Sequence, residues 1–215
     1  MLEVRGLEAG YGRARVLFGV ELEVRAGEVV ALLGRNGAGK STTLKAIMSL
    51  LATRAGEVKF DGRRIDGLEP HDIARLGLGY VPEDRRIFTD LTVEENIEVG
   101  RQAARPHAPQ WTEERLQTLF PALAALRRRR AGALSGGEQQ MLCIARTLAG
   151  NPRAVLLDEP TEGLAPIVVG QVAAAIRELK AAGVAVLLAE QSRAFTQRLA
   201  DRSYTLEKGR IADGK

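Results

Sequence analysis

The chain has 215 residues, of which 45% are hydrophobic and 27% are charged, and its formal net charge is +4. These values suit one α/β domain, or one domain with a substantial insertion, built around a real hydrophobic core. The mild positive charge forms no clustered stripe that would indicate nucleic acid or an acidic membrane face, and no apolar run approaches the about eighteen residues that span a bilayer.

Cysteine usage and the first residues of the chain fit a reducing compartment. The single cysteine, Cys143, cannot form an internal disulfide, and it lies in an apolar helical pattern that predicts a buried, inert thiol. The first five residues lack the core of a signal peptide. We therefore expect a cytoplasmic protein, which would serve a membrane only through a partner chain.

The first 33 residues predict three strands. Residues 2–11 and 16–24 form the first two, joined by a glycine-containing turn, and the apolar run 29–33 predicts a buried third strand. Tyr11 lies on the turn. A turn tyrosine is usually half-buried packing, but this one could also offer its ring face to a nucleotide base.

A phosphate-binding loop follows the third strand. The pattern is glycine, four residues, glycine, lysine and serine or threonine, and a helical pattern over residues 43–51 comes next. The loop consists of Gly34, Arg35, Asn36, Gly37, Ala38, Gly39, Lys40, Ser41 and Thr42. Glycines let backbone N–H groups turn toward oxyanions, and the helix start adds more donors. Lys40 would reach the outer phosphates and Ser41 would ligate Mg²⁺, so we predict a nucleoside-triphosphate site rather than a plain glycine-rich turn.

The next segment predicts a hairpin, a helix and a strand. Residues 56–60 and 63–65 flank an Asp-Gly turn, and a proline opens a helix over residues 70–76. Residues 77–83 form a strand that ends at a proline and leaves Glu83 just past its tip. Ligands of open α/β sheets collect at such carboxyl ends.

From residue 92 to about residue 132 the pattern is helical and without strands. A capping box at Thr92 opens a helix to about residue 104, and Thr112 opens another in the same way. Four consecutive arginines occupy residues 127–130. We expect a solvated face there, with docking against an acidic surface as the alternative.

A second glycine-rich helix start lies at Ser135, Gly136 and Gly137. Ser135 is a good N-cap, and residues 139–148 carry a helical apolar stripe. Free N–H groups at this helix start would suit an anion. Many helices begin with serine and glycine, so the signal is weak by itself.

Residues 154–161 predict a buried strand, whose apolar run ends in two adjacent acids, Asp158 and Glu159. Asp158 would hold a water bound to Mg²⁺, and Glu159 would orient or deprotonate a nucleophilic water. The alternative is ordinary solvation of a strand end, which the phosphate loop upstream disfavours.

The last part of the chain alternates helices and strands. Residues 166–182 predict a helix that a glycine stops, residues 184–189 a core strand, and residues 192–200 a further helix. Residues 203–207 and 210–212 predict a closing hairpin.

Taken together, the phosphate loop, the sequence Leu-Ser-Gly-Gly-Glu-Gln at residues 134–139 and the strand ending in Asp158 and Glu159 resemble the ATP-binding-cassette (ABC) ATPases. The resemblance covers essentially the whole chain. It implies an α/β P-loop NTPase fold of the ABC type, with a mixed-sheet core, an N-terminal antiparallel β-subdomain and an inserted α-helical subdomain.

The resemblance also implies domain limits. It predicts a single ABC ATPase domain over residues 1–215. Residues 1–83 and 150–215 would form the nucleotide-binding core, and residues from about 84 to 149 the helical subdomain that carries the signature motif.

Roles follow from the resemblance position by position. Tyr11 matches the aromatic residue that stacks on adenine, and Gly34 to Thr42 match the Walker A loop. Glu83 takes the place of the glutamine that senses the γ-phosphate and Mg²⁺. The expected metal ligands are therefore Ser41, Glu83 and Asp158.

The other two motifs complete the expected site. Ser135, Gly136 and Gly137 match the signature that contacts the γ-phosphate bound by the opposite protomer. Asp158 and Glu159 match the Walker B aspartate and the catalytic glutamate. The implied cofactors are ATP and Mg²⁺, and two cassettes would enclose two ATP molecules.

Three positions depart from the family pattern. Glu83 replaces the usual glutamine and adds negative charge, Ala165 replaces an aspartate, and Gln191 replaces the switch histidine. Gln191 can donate a hydrogen bond to the γ-phosphate, but it cannot titrate. Glu159 is thus the only candidate base, with Lys40 and Gln191 as the other expected catalytic residues.

Segments 81–88, 163–166 and 189–191 resemble the ATPase subunits of branched-chain amino-acid importers, with urea and short-chain amide importers close behind. The implied partners are a second ATPase subunit, identical or different, transmembrane permease subunits and, indirectly, a periplasmic solute-binding protein. Nucleic acid is not an expected partner. The expected location is the inner face of the cell membrane.

Two rival functions compete with an importer subunit. A cassette of translation or DNA repair usually has two cassettes in one chain or a long coiled-coil insertion, and neither occurs here. The altered Glu83, Ala165 and Gln191 leave a second alternative open, in which the chain is a regulatory subunit that does not hydrolyse ATP. The Walker residues argue against it. The sequence does not identify the transported solute.

Overall fold

The computed structural model describes residues 1–214 and contains ten strands and eight α-helices. The one remaining residue of the expected domain, residue 215, lies outside the described part of the chain. In chain order the strands are β1 (Leu2–Tyr11), β2 (Ala14–Val24), β3 (Val29–Leu33), β4 (Thr53–Phe60), β5 (Arg63–Arg64), β6 (Leu78–Val81), β7 (Ala154–Asp158), β8 (Ala185–Glu190), β9 (Arg202–Glu207) and β10 (Arg210–Gly214). The helices are α1 (Lys40–Ile47), α2 (Pro70–Leu76), α3 (Val93–Gly100), α4 (Glu113–Leu119), α5 (Pro121–Ala125), α6 (Gly136–Ala149), α7 (Pro166–Ala181) and α8 (Arg193–Thr196).

The strands form two sheets. The first has the order β2-β1-β4-β5 and is antiparallel throughout. The second has the order β10-β9-β3-β8-β7-β6, with parallel neighbours except for the antiparallel β9–β10 hairpin. The expected α/β architecture, with an antiparallel N-terminal sheet and a mixed-sheet core, is confirmed.

The central strands of the mixed sheet are buried on both faces. Successive side chains of a strand point to opposite faces, and in β7 Val155 and Leu157 enter one core with α6 and α7, whereas Ala154 and Leu156 enter another with α1 and the first sheet. Helices or strands therefore cover both faces, as parallel sheets require. This packing holds the carboxyl ends of β3, β7 and β8 along one edge.

Hydrogen bonds at the helix starts confirm most of the expected caps. Thr92 and Glu95 form the capping box of α3, and Ser135 and Glu138 form that of α6. Thr112 caps α4 by accepting a bond from the amide of Arg115. That cap is one-sided, contrary to the expected box, because the third helical residue is an arginine rather than an acceptor.

Several element ends differ from the sequence expectation for local reasons. Helix α3 ends at Gly100 instead of residue 104; a Cβ at Gly100 would lie 2.2 Å from the carbonyl oxygen of Arg146 on α6, so the two helices touch there. Helix α1 occupies 40–47 rather than 43–51, and the chain turns at Ser49 with φ 52°. Strand β6 stops before Pro82, which has no N–H to pair.

One smaller difference lies in the last helix, because α8 ends at Thr196 instead of residue 200. Helix α6 begins at Gly136, directly after the expected N-cap Ser135. The four arginines at 127–130 are all exposed, as expected for a solvated face, and docking against an acidic surface stays a prediction. None of the helices in the described part of the chain combines the length and apolar character needed to cross a membrane.

The buried-thiol prediction is confirmed. Cys143 is fully buried on α6, and its Sγ donates a hydrogen bond to the carbonyl oxygen of Arg85 at 2.8 Å. Burial raises the pKa of the Cys143 thiol to about 11. Because thiolate is the reactive form, the folded protein holds this cysteine in an unreactive state at neutral pH.

Cys143 should therefore resist alkylation by iodoacetamide at pH 8 in the folded protein and react with one equivalent after denaturation in guanidinium. Mass spectrometry measures both. As a matched control, Gln197→Cys places a thiol at an exposed position, and that thiol should react in the folded state. Rapid labelling of native Cys143 would contradict the packing described for α6.

Candidate functional site

The phosphate loop leaves β3 and turns directly into α1. Gly37 and Gly39 have φ of 77° and 112°, a region that favours glycine. A Cβ at Gly39 would also lie 2.9 Å from a side-chain carbon of Leu17. Gly39 is the N-cap of α1 without a side-chain cap, and the first turn has no acidic residue. The start of α1 therefore offers backbone N–H groups to an anionic ligand.

Lys40 is buried at the start of α1. Its Nζ donates to the carbonyl oxygens of Gly34 at 2.8 Å and Arg35 at 3.2 Å, and it lies 3.0 Å from Oε1 of Glu159. The ammonium group thus has two carbonyl acceptors and a carboxylate beside it. The cation and the glutamate form a buried pair, and separating the two would leave a buried charge without compensation.

Asp158 ends β7 and is also buried. Its Oδ1 accepts a hydrogen bond from the Ser41 hydroxyl at 2.9 Å, and its Oδ2 accepts one from the Tyr80 hydroxyl at 3.1 Å. Burial raises the pKa of Asp158, the two hydroxyl bonds lower it in part, and the charge of Glu83 raises it again. The carboxyl group is thus held in place by two hydroxyls from different elements.

Glu159 follows with an uncommon backbone conformation. Its φ is 44°, which costs a non-glycine residue about 1–3 kcal/mol. Its amide donates to the carbonyl oxygen of Ala189 at 3.0 Å, and this bond anchors the residue on β8. The turn keeps the Glu159 side chain beside Lys40 instead of continuing β7.

The loop and the acids line one cleft of about 430 Å³. Its lining residues are Val16, Asn36, Gly37, Gly39, Lys40, Ser41, Thr42, Glu83, Glu159 and Glu162. Glu83 is exposed at the tip after β6, as expected from its position in the sequence. The structure therefore brings the Walker A residues, Glu83 and Glu159 together, with Asp158 reached through Ser41.

The polar side chains of the cleft fit a hard divalent cation. Ser41, Asp158 and Glu83 offer only oxygen donors, which Mg²⁺ prefers. The hydroxyl of Ser41 and the carboxylate of Asp158 already lie 2.9 Å apart. Among residues 1–214 no group of three or more histidine, cysteine, aspartate or glutamate side chains has metal-binding geometry.

Gln191 lies on the other side of the loop, just after β8. It is exposed, and its Nε2 makes a long contact of 3.4 Å to Oδ1 of Asn36. The preceding Glu190 is buried, and it accepts bonds from the Thr161 hydroxyl and from the amides of Gln191 and Ser192. Burial raises the pKa of Glu190. This acid shapes the turn that presents Gln191 to the loop.

Two expected contributors do not line this cleft. Tyr11 ends β1 with its side chain half exposed, and the signature residues Ser135, Gly136 and Gly137 start α6 elsewhere. The Ser135 hydroxyl accepts from the amide of Glu138. A Cβ at Gly137 would lie 2.7 Å from Val168, so glycine permits the close contact with α7.

Two further residues contribute to the site without having been expected. Tyr80 reaches Asp158 from β6, and Glu162 lines the cleft within hydrogen-bonding reach of Glu159, which raises the pKa of Glu162. Tyr80 is opposite Leu156 in the β6–β7 pair, so only the strand register reveals it. Glu162 carries no sequence signal beyond closeness to Glu159.

Comparison with known proteins decides the family. Residues 17–162 match the family described as ABC transporter. The chain belongs to this ABC transporter family. It is an ATP-binding and ATP-hydrolysing subunit.

Curated relatives match nearly the whole chain. The high-affinity branched-chain amino acid transport ATP-binding protein BraG of Pseudomonas aeruginosa is 42% identical over 211 residues, which cover 98% of this chain and 91% of the relative. The lipopolysaccharide export system ATP-binding protein LptB of Escherichia coli K12 is 35% identical over 212 residues, covering 98% and 88%.

Solved structures agree with this ABC subunit in fold. An ATP-binding subunit of an ABC transporter matches with a TM-score of 0.86 at 30% identity and covers 100% of this chain and 89% of its own. A dimeric bacterial ABC transporter cassette matches with a TM-score of 0.84 at 26% identity, covering 100% and 98%.

The raised pKa of Asp158 predicts how its replacement changes stability. Its folded-state pKa is above the ordinary 3.8, so the contribution of this group to the free energy of unfolding is full below pH 3.8 and falls as the pH rises through the folded-state value. Without metal and nucleotide, Asp158→Asn should therefore melt at a higher temperature than the wild type at pH 8.

The difference in melting temperature should shrink as the pH is lowered toward 3.8, and differential scanning calorimetry measures it. Asp90→Asn, at an exposed position, is the matched control and should melt like the wild type. A lower melting temperature of Asp158→Asn at pH 8 would show that its two hydroxyl bonds outweigh the cost of burying the charge.

Proposed function

We propose that this ABC subunit powers an importer of branched-chain amino acids by hydrolysing ATP in the cleft between the phosphate loop and Glu159. The identity with BraG, 42% over 98% of the chain, is the observation that supports branched-chain amino acids as the solute class. A probable branched-chain amino acid transport ATP-binding protein, LivF of Archaeoglobus fulgidus, is 35% identical over 216 residues. The cassette would be one domain over residues 1–215, with core segments 1–83 and 150–215 and a helical subdomain from about 84 to 149.

Lys40 and the loop amides would bind the triphosphate. The ammonium group lies within 3.2 Å of two loop carbonyls, which are weaker acceptors than phosphate oxygens. Lys40 would exchange those carbonyls for the outer phosphates, while the first amides of α1 hold the remaining oxyanions. Binding of this kind orients the γ-phosphate and stabilises charge in the transition state.

Ser41, Asp158 and Glu83 would hold Mg²⁺. When bound, the cation neutralises charge on the phosphate oxygens as the bond to the leaving group breaks. The Ser41 hydroxyl donates its hydrogen to Asp158, so its oxygen lone pairs would be open to the metal. Glu83 adds a carboxylate on the open side of the cleft.

Glu159 is the proposed base. Its carboxylate reaches the cleft and is held by Lys40, and a bound γ-phosphate would draw Lys40 away and free an oxygen for water. Gln191 would donate a hydrogen bond to the γ-phosphate from the other side of the loop. Tyr11 would stack on the adenine base.

A second cassette would complete each site. The signature residues Ser135, Gly136 and Gly137 do not line the cleft of their own chain. This supports the proposal that they contact the nucleotide bound by a partner cassette. The physiological complex would contain two cassettes, identical or different, two permease subunits and a periplasmic solute-binding protein. The cassettes would lie on the inner face of the membrane.

A lipopolysaccharide exporter is the second candidate, because LptB proteins of three bacterial species are 35–37% identical over nearly the whole chain. Import of urea or amides is a further candidate function. The identity with BraG is higher than that with LptB, and the paired Lys40 and Glu159 favour hydrolysis.

Glu159→Gln should lower kcat for ATP hydrolysis at least about 100-fold, because the amide keeps the bond to Lys40 but cannot accept a proton. ATP binding should persist. Phosphate release and retention of radiolabelled ATP measure the two effects in the assembled complex. Glu21→Gln, at an exposed glutamate on β2, is the control and should leave kcat unchanged. Near-normal hydrolysis in Glu159→Gln would contradict the assignment of Glu159 as the base.

Purification of the tagged chain from membranes of its own host tests the transport assignment. We expect a second cassette, membrane-spanning subunits and a solute-binding protein to co-purify. Calorimetry on that binding protein should give heat with leucine and none with urea. Retention of urea, or co-purification of a lipid-exporting complex, would replace the amino-acid assignment with urea import or lipid export.

A further inference from the structure

Tyr80 is a polar side chain of the site that neither the motifs nor the proposed chemistry uses. It lies on β6 opposite Leu156 of β7, and its hydroxyl crosses to the end of β7. There it donates to Oδ2 of Asp158 at 3.1 Å, while Ser41 donates to Oδ1 at 2.9 Å. Each oxygen of the buried carboxyl group therefore has its own donor.

The two donors differ in what else they can do. Ser41 is the expected metal ligand, and so its hydroxyl is shared between Asp158 and the cation. The hydroxyl of Tyr80 lies on the far oxygen. A phenol is protonated throughout the neutral range, so the hydroxyl of Tyr80 remains a donor. A fixed donor on one oxygen limits rotation of the whole carboxylate.

We propose that Tyr80 is a positioning residue of the metal site: its hydroxyl fixes Oδ2 of Asp158, so that Oδ1 faces Ser41 and the cation. The inference rests on the proposed role of Asp158 in holding Mg²⁺. Tyr80 is also three residues before Glu83, so one short segment holds Asp158 and presents Glu83 to the cleft. Strand β6 and the residues directly after it therefore position both Asp158 and Glu83, the two carboxylates of the proposed metal site.

The test uses Tyr80→Phe, which removes only the hydroxyl and keeps the ring packed. Mn²⁺ serves as the probe, titrated by electron paramagnetic resonance in the presence of ADP. We expect Mn²⁺ to bind about ten-fold more weakly than to the wild type, in line with the loss of an outer-shell partner. Binding of ADP in EDTA should be unchanged, because the loop and Lys40 are untouched.

Tyr204→Phe is the matched control. The hydroxyl of Tyr204 also has partners, accepting from Arg202 at 2.6 Å and from the amide of Glu23 at 3.3 Å, but it lies on β9 and does not line the cleft. Its Mn²⁺ affinity should equal that of the wild type.

In hydrolysis assays, Tyr80→Phe should need more Mg²⁺ for half-maximal rate and approach the wild-type kcat at saturating Mg²⁺.

Unchanged Mn²⁺ affinity in Tyr80→Phe would overturn the proposal, as would an equal loss in Tyr204→Phe. A Tyr80→Phe protein that does not fold would give the hydroxyl a purely structural role and would overturn it too. These results differ from failure of the proposed function itself, in which the wild type would bind neither ADP nor Mn²⁺ with ADP.

Discussion

The buried pair of Lys40 and Glu159 is the interaction on which the site depends. It joins the start of α1 to the end of β7 across 3.0 Å, in surroundings where an unpaired charge would be costly. Each side chain compensates the buried charge of the other until a ligand that is a stronger anionic partner for Lys40 binds. Because phosphate oxygens are such a ligand, the same contact that stabilises the folded chain can be exchanged for substrate and can release a carboxylate for catalysis.

The mixed sheet makes this contact possible. Strands β3, β7 and β8 run parallel with residues paired in register, so Leu33 lies opposite Glu190, and Asp158 opposite Ala189. The phosphate loop, the two acids and the Gln191 turn therefore leave the sheet at one edge. Apolar residues on both faces fix that alignment.

Local signals predicted much of the fold and part of the site. Strands β1 and β3 and helix α2 have the expected bounds because alternation, an apolar run and an N-terminal proline each act over a few residues. The predicted proximity of the loop, Glu83 and Glu159 is confirmed, and their roles stay predictions. Tyr80 could not be predicted, because its partner Asp158 is 78 residues away and the contact depends on the register of β6 and β7.

The left-handed conformation of Glu159 has a consequence for laboratory evolution. Glycine adopts φ of 44° freely, so replacing this glutamate with glycine would relieve about 1–3 kcal/mol of backbone strain. The same replacement would leave the buried charge of Lys40 without its partner, which costs about 3–5 kcal/mol. Selection for heat resistance alone would therefore retain this glutamate, and libraries built on the protein would keep the side chain that the proposed chemistry needs even when turnover is not scored.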